Sequence, residues 1–339
     1  MLLPLTILVL IFGMNSCSKI LGVFPIPSLS HQIVYRGLML ELNRRGHEVT
    51  VITPDPLGDP NLKNYREISV RDKPYEYIRN IFKNLANDRM NYEITEWTLV
   101  RFLDMANNFC EFELSEPEVQ KLIKSDEKFD LVIVEYLSFP CMNAFSHRFN
   151  ASLMGMSSLG LYPIGYDIIR ATNNPAIDSF LFLPFFGPRT VLEKVRCVFY
   201  VIWNKIVYHW WVVPKQDAIA RKYFGDDIPY VGDMDGNVSL VLANTDFTTL
   251  YPRANVPNLV EFGGGNAVHF KKEVKELPKV RKECSRRFLG IRPRSQAIPF
   301  LNWIKLDKGA TDRIQTTHPR KTFSKGKFRS SETWVYRAL

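Results

Sequence analysis

His31 and Glu135 are the residues whose types and places could do chemistry together. His31 opens a predicted helix directly behind a short apolar strand, and Glu135 closes a second apolar strand much later in the chain. In an open α/β sheet both places lie at the carboxyl edge, where ligands bind. The positive end of the helix dipole disfavours imidazolium there and leaves a neutral ring able to accept a proton. A carboxylate on the other ring nitrogen would fix the tautomer and stabilise the cation as it forms. Such a pair suits general-base removal of a proton from a hydroxyl. The loop before His31, Pro25-Ile26-Pro27-Ser28-Leu29-Ser30, contains no glycine, so it is not built to cradle a dinucleotide phosphate. The other histidines read blandly: His47 starts a strand, His147 and His209 belong to surface or packing, and His318 lies in the tail. No cluster has metal-ligand spacing, so no metal or bound cofactor is expected.

The elements that must position the pair are legible. Lys19 to Phe24 reads as a strand, and a helix capped by Ser30 carries Ile33, Leu38, Leu40 and Leu42 as far as Arg44-Arg45-Gly46. Val49 to Thr53, β-branched and stopped by Pro54, is the next strand, which makes a parallel βαβ unit. The pattern returns with a helix over Glu116 to Ser125 and a buried-type strand Phe129 to Val134 that ends at Glu135. A helix through Phe149 and strands near Leu153 to Ser157 and Val238 to Asn244 follow, while residues 60–115 are mixed and mostly helical. Strands alternating with helices imply a Rossmann-like, doubly wound parallel α/β sheet.

Between residues 180 and 213 runs an aromatic stretch with Phe180, Phe182, Phe185, Phe186, Phe199, Tyr200, Trp203, Tyr208, Trp210 and Trp211. Pro184, Pro188, Arg189, Glu193, Lys194, Arg196 and Lys205 interrupt it too often for a membrane span. A pair of amphipathic helices packed on the sheet is the expectation; a lipophilic wall for a ligand and a face resting on a membrane surface also fit.

The net charge of +9 is unevenly spread. Lys271 to Leu339 holds 19 Lys and Arg against 6 Asp and Glu, a net +13, which leaves −4 for Met1 to Phe270. A basic surface for nucleic acid is therefore not a property of the folded body, and nucleic acid is not an expected partner. Leu2 to Met14 is an apolar run followed by small residues, the pattern of a secretory signal peptide over residues 1–18. Asn150-Ala151-Ser152 and Asn237-Val238-Ser239 are N-glycosylation sequons, in keeping with entry into the secretory pathway. Cys110, Cys141, Cys197 and Cys284 are spaced as neither a metal site nor a small disulfide scaffold, and nothing in the spacing demands a disulfide.

Leu21-Gly22-Val23-Phe24-Pro25 through Ser30-His31, then Leu42-Asn43-Arg44-Arg45-Gly46-His47-Glu48-Val49-Thr50-Val51-Ile52-Thr53, resembles the opening of the UDP-glycosyltransferases, and most of all the insect glucosyltransferases. Phe129 to Glu135, Leu250-Tyr251-Pro252-Arg253, and Pro257 to Gly264 are similar to further family stretches in the same order. The resemblance implies a GT-B fold, of which residues 19–265 would be the N-terminal, acceptor-binding Rossmann-like domain. It puts His31 at the catalytic histidine and Glu135 at its partner carboxylate, often Asp in the family. The implied reaction is inverting transfer of a sugar from a UDP-sugar, as co-substrate, to a hydroxyl of a small lipophilic acceptor. The implied place is the endoplasmic reticulum lumen, with membrane association in full-length relatives; a membrane surface and a dimer with a full-length relative are further candidate partners.

The chain departs from that family after Gly264. Residues 266–339 read as a linker and a basic tail, disordered or non-native, without the family's donor-binding signature or terminal membrane helix. The expectation is a UDP-glycosyltransferase-like chain that does not turn over a UDP-sugar by itself. The alternative is a non-catalytic lipophilic-ligand-binding or regulatory half-enzyme.

Overall fold

The computed structural model describes residues 17–87, 96–176, 178, 183, 190–245 and 255–264. The expected signal peptide, the tail after Gly264, the segment Leu250 to Arg253 and the phenylalanines at 180, 182, 185 and 186 lie outside them.

Lys19–Val23 (β1) leads into Leu29–Arg44 (α1) and then Glu48–Thr53 (β2). The N-cap of α1 is Ser28, not Ser30 as expected. The Ser28 carbonyl accepts both His31 N–H and Gln32 N–H at 3.0 Å, so the first helical turn closes on Ser28. At the other end Gly46 stands at φ 95°, and the His47 N–H reaches back to the Leu42 carbonyl at 3.2 Å. That left-handed step is why a glycine ends this helix.

Residues 60–115 contain an unexpected strand, Tyr65–Ser69 (β3), before Asp72–Asn87 (α2) and Glu96–Leu114 (α3). Pro117–Lys124 (α4) precedes Leu131–Glu135 (β4), and a 3₁₀ turn at Pro140–Asn143 leads into Ala144–Phe149 (α5). Ser152–Ser157 (β5) and Pro163–Ile168 (α6) follow. Later come Val191–Val207 (α7), a π-helical turn Tyr208–Val212, Val213–Phe224 (α8), Val231–Asp235 (α9), Leu240–Ala243 (β6) and Leu259–Glu261 (β7).

The seven strands form one sheet in the order β3-β2-β1-β4-β5-β6-β7, parallel throughout. The order reverses between β1 and β4, so the switch point of the doubly wound sheet lies between these two strands. Strand side chains alternate between two cores. Ile20 and Phe24 of the β1 segment, with Val49 and Val51 of β2, meet Val34, Tyr35 and Met39 of α1 on one face. Leu21, Val23, Ile52 and Val132 point to the opposite face, where α3, α4, α5 and α8 supply the larger core.

The aromatic stretch departs from simple amphipathic packing. Cys197, Tyr200, Val201, Asn204 and Val207 of α7 are buried, as expected for the inward side. A second apolar stripe, Val191, Leu192, Val195, Val198, Phe199, Ile202 and Ile206, is exposed, and Trp210 and Trp211 continue it. The helix is apolar on two sides, and the fold uses only one. Val191 is 77% exposed and Trp210 85%, so this stripe is not an inner layer of the domain.

Cys110 of α3 and Cys141 of the 3₁₀ turn form a disulfide, Cα to Cα 6.4 Å, which the spacing of cysteines did not require. It ties the helical layer to the segment that follows β4. Closing 31 residues in the unfolded chain should contribute about 3 to 4 kcal/mol. Urea unfolding of Cys141→Ser is expected to show a loss of that size; a loss below about 1 kcal/mol would mean that the unfolded chain is not constrained by the bridge.

Candidate active site

His31 lies in the first turn of α1 and Glu135 is the last residue of β4, so the two flank the switch point as expected. His31 Nδ1 is 3.0 Å from Glu135 Oε1. The Glu135 side chain is fully buried, while that of His31 keeps 16% of its surface exposed. The histidine is thus the member of the pair that a ligand can reach. A carboxylate only accepts hydrogen bonds, so Nδ1 carries the hydrogen and Nε2 is the basic nitrogen. The extra methylene of Glu, relative to Asp, does not keep the acid from its histidine.

A buried carboxylate needs donors on both oxygens. Oε1 also accepts the Tyr35 hydroxyl at 2.7 Å, and Oε2 accepts the Ile26 backbone N–H at 3.0 Å. Tyr35 is four residues beyond His31 on α1, hence on the same side of the helix. Its hydroxyl in turn accepts the Ser158 N–H at 3.1 Å, and the Ser158 hydroxyl lies 2.7 Å from His31 Nδ1. Burial, then the charge of Glu135, push the Tyr35 phenol well above its usual range, so it stays a donor. Phe24 stacks on the Tyr35 ring with centroids 4.3 Å apart. Sequence reading missed Tyr35 and Ser158; the four-residue step from His31 was the available signal for the first, and nothing local marked the second.

The loop before α1 is held by a side chain. Gln32 Nε2 donates to the carbonyls of Phe24 and Ile26 at 3.1 and 2.9 Å, and its Oε1 accepts the Thr53 hydroxyl at 2.9 Å. These three bonds lock the turn whose Ile26 N–H meets Glu135. From the other flank, Asn244 donates to the Ser158 carbonyl at 2.9 Å and ties β6 to the site.

Behind Glu135 is a cavity of about 20 Å³ lined by Tyr136, Ser138, Tyr162, Tyr208 and Asp235, room for water and not for a ligand of drug size. Gly155 lets the Tyr136 ring lie against β5, since a Cβ there would come within 2.8 Å of it. Burial pushes Asp235 up to about 6, against the hydrogen bonds from Tyr208 and Asn143 that favour its charged form. Glu113, buried on α3, is pushed well above the carboxylate range by burial and then by Glu135. Glu113 is thereby favoured in its neutral form. Among the described residues no three His, Cys, Asp or Glu side chains converge as a metal site.

Tyr35→Phe removes one donor from Glu135 and the acceptor of the buried Ser158 N–H. Urea unfolding is expected to show a loss of about 1 to 3 kcal/mol. An unchanged midpoint would mean that the hydroxyl contributes nothing to holding the acid.

The family model described as UDP-glucoronosyl and UDP-glucosyl transferase matches residues 18–286. UDP-glucosyltransferase 2 of Dactylopius coccus is 27% identical over 286 residues, 82% of this chain and 52% of the relative. The ecdysteroid UDP-glucosyltransferase of Spodoptera littoralis nuclear polyhedrosis virus is 24% identical over 263 residues, 74% of this chain and 50% of the relative. Among solved structures, the glycotransferase of kitacinnamycin aligns with a TM-score of 0.41 at 13% identity, over 74% of this chain and 52% of that one. The chain spans about half the length of the curated relatives it matches. With the match covering both the βαβ unit that carries His31 and the strand that ends at Glu135, the chain belongs to the UDP-glucoronosyl and UDP-glucosyl transferase family.

Proposed function

We propose that this chain is the acceptor-binding half of an inverting UDP-glycosyltransferase of GT-B architecture. The observation that carries the reading is the 3.0 Å bond between His31 Nδ1 and Glu135 Oε1 at the switch point of the sheet. His31 Nε2 takes the proton of the acceptor hydroxyl as that oxygen bonds to the anomeric carbon of the UDP-sugar. The bond from that carbon to the diphosphate breaks on the opposite face, UDP leaves, and the configuration inverts. Glu135 holds the imidazole and stabilises its positive charge through Nδ1–H. The UDP-sugar is a co-substrate, and the steps call on no cofactor.

The acceptor class is a small lipophilic alcohol, in keeping with the ecdysteroid in the viral relative's name. Residues 1–18 act as a signal peptide, 19–265 form the acceptor domain, and 266–339 are linker and tail. The Cys110–Cys141 disulfide supports a lumenal, secretory-pathway location, because such bonds persist in oxidising compartments.

The test joins the matched segment of this chain to the remainder of the Dactylopius coccus relative. The chimaera is expected to glycosylate a lipophilic alcohol from a UDP-sugar, with kcat falling about 10²- to 10⁴-fold in His31→Ala, while the 339-residue chain alone transfers nothing. An unchanged rate in His31→Ala would remove the catalytic reading. Acceptor binding by the chain that ignores both His31→Ala and Glu135→Ala would favour a carrier.

The exposed side of α7 is the face proposed to rest on a membrane surface. No helix among the described residues is long and apolar enough to cross a membrane. Indole rings favour the bilayer interface, and the exposed Lys194 beside the apolar stripe can meet lipid phosphates. Flotation with phosphatidylcholine–phosphatidylserine vesicles is expected to recover the chain. Replacing Trp210 and Trp211 by Ser should weaken binding by at least about tenfold. Absence of flotation, with a stable heterodimer with a full-length relative in its place, would assign the face to a dimer.

A further inference from the structure

Two sequons singled out in the sequence have no part in the proposed reaction, and the fold places them side by side. Asn150 follows α5 and its Ser152 is the first residue of β5; Asn237 follows α9, and Ser239 directly precedes β6. β5 and β6 are neighbours, and the Ser239 N–H donates to the Leu153 carbonyl at 2.9 Å. Both sequons therefore sit at the amino edge of the same strand pair. Glu135 pairs with Met156 at the other end of β5, about 13 Å along the strand from Ser152.

The local chemistry suits attachment. Asn150, Ser152, Asn237 and Ser239 are all exposed, and the middle residue of the second sequon, Val238, is buried. At Asn237 to Ser239 this is strand-like alternation, with the asparagine and the hydroxyl turned outward and the apolar residue anchoring the segment. Asn150 has a backbone reason to be asparagine, since it ends α5 in the left-handed region at φ 48°. That reason does not account for an exposed serine two residues later.

We propose that Asn150 and Asn237 carry N-linked glycans, both projecting from the amino edge and leaving the His31 edge open. Each amide Nδ2 forms a bond to the anomeric carbon of an oligosaccharide carried as a lipid diphosphate glycoside. The bond from that carbon to the diphosphate breaks, the lipid diphosphate leaves, and the amide gives up one proton. The inference rests on the lumenal location proposed above. It adds that a second domain, or a bilayer, meets this domain away from the amino ends of β5 and β6.

The experiment expresses the full chain in animal cells, once with its own first 18 residues and once behind an established secretory leader. Intact mass is measured before and after peptide N-glycosidase in ¹⁸O water, which leaves a labelled Asp at each former glycan site. Labelled Asp is expected at both positions, and Ser152→Ala and Ser239→Ala should each remove one glycan while Asn150 keeps its place in the turn. In the chimaera, the double serine variant should retain its transfer rate. Modification only behind the added leader would leave the sites standing and overturn the signal-peptide reading. A chain exported behind the leader and unmodified at both asparagines would overturn the proposal, and a transfer rate that collapsed in the double variant would overturn the placement away from the catalytic edge.

Discussion

One carboxylate organises this domain. Glu135 is buried at the end of a central strand, and an ionised group in that place persists only where donors surround it. The donors come from separate parts of the chain: a backbone N–H from the loop after β1, a phenol and an imidazole from α1, and through that phenol the backbone at Ser158 after β5. Satisfying Glu135 therefore fixes how the loop, the helix and three strand ends meet. The switch point of the sheet is where these pieces can converge, because β1 and β4 are neighbours there and both end at the same edge.

The same bonds that satisfy the acid hold the proposed base. His31 has one nitrogen occupied by Glu135 and Ser158 and the other left for chemistry, and its ring is the partly exposed member of an otherwise buried cluster. Gln32, beside it on the helix, does the opposite of the glycines in phosphate-binding turns. It replaces conformational freedom with three side-chain bonds, and the result is a stiff wall in place of an anion cradle. Stability and the proposed chemistry draw on one network, so a lost bond would be felt in both.

Much of this is legible in the amino-acid sequence. The βαβ unit read cleanly because β1 and β2 are short apolar runs buried on both faces and α1 ends on a glycine with a left-handed backbone. His31 and Glu135 could be paired because strand ends of a parallel sheet share an edge. β3 was hidden: as an edge strand its only buried residue is Ile68, which leaves too weak a pattern in Tyr65–Ser69. Ser158 and the disulfide depend on contacts across long stretches of chain, and neither leaves a periodic trace. The side of α7 that faces inward was equally unreadable, since apolar residues stand on both sides and periodicity does not rank them.

The reach of Glu135 has a consequence for descent. Shortening it to Asp would withdraw the carboxyl by one methylene, about 1.5 Å, from three donors that belong to two separate elements, the loop and the helix. The Ile26 N–H belongs to a loop locked by Gln32, and the phenol of Tyr35 is clamped beneath Phe24. A lineage carrying the shorter acid must therefore also carry a different loop or a shifted helix. Acid, loop and helix register are in that sense a single heritable character, and relatives should divide along all three at once.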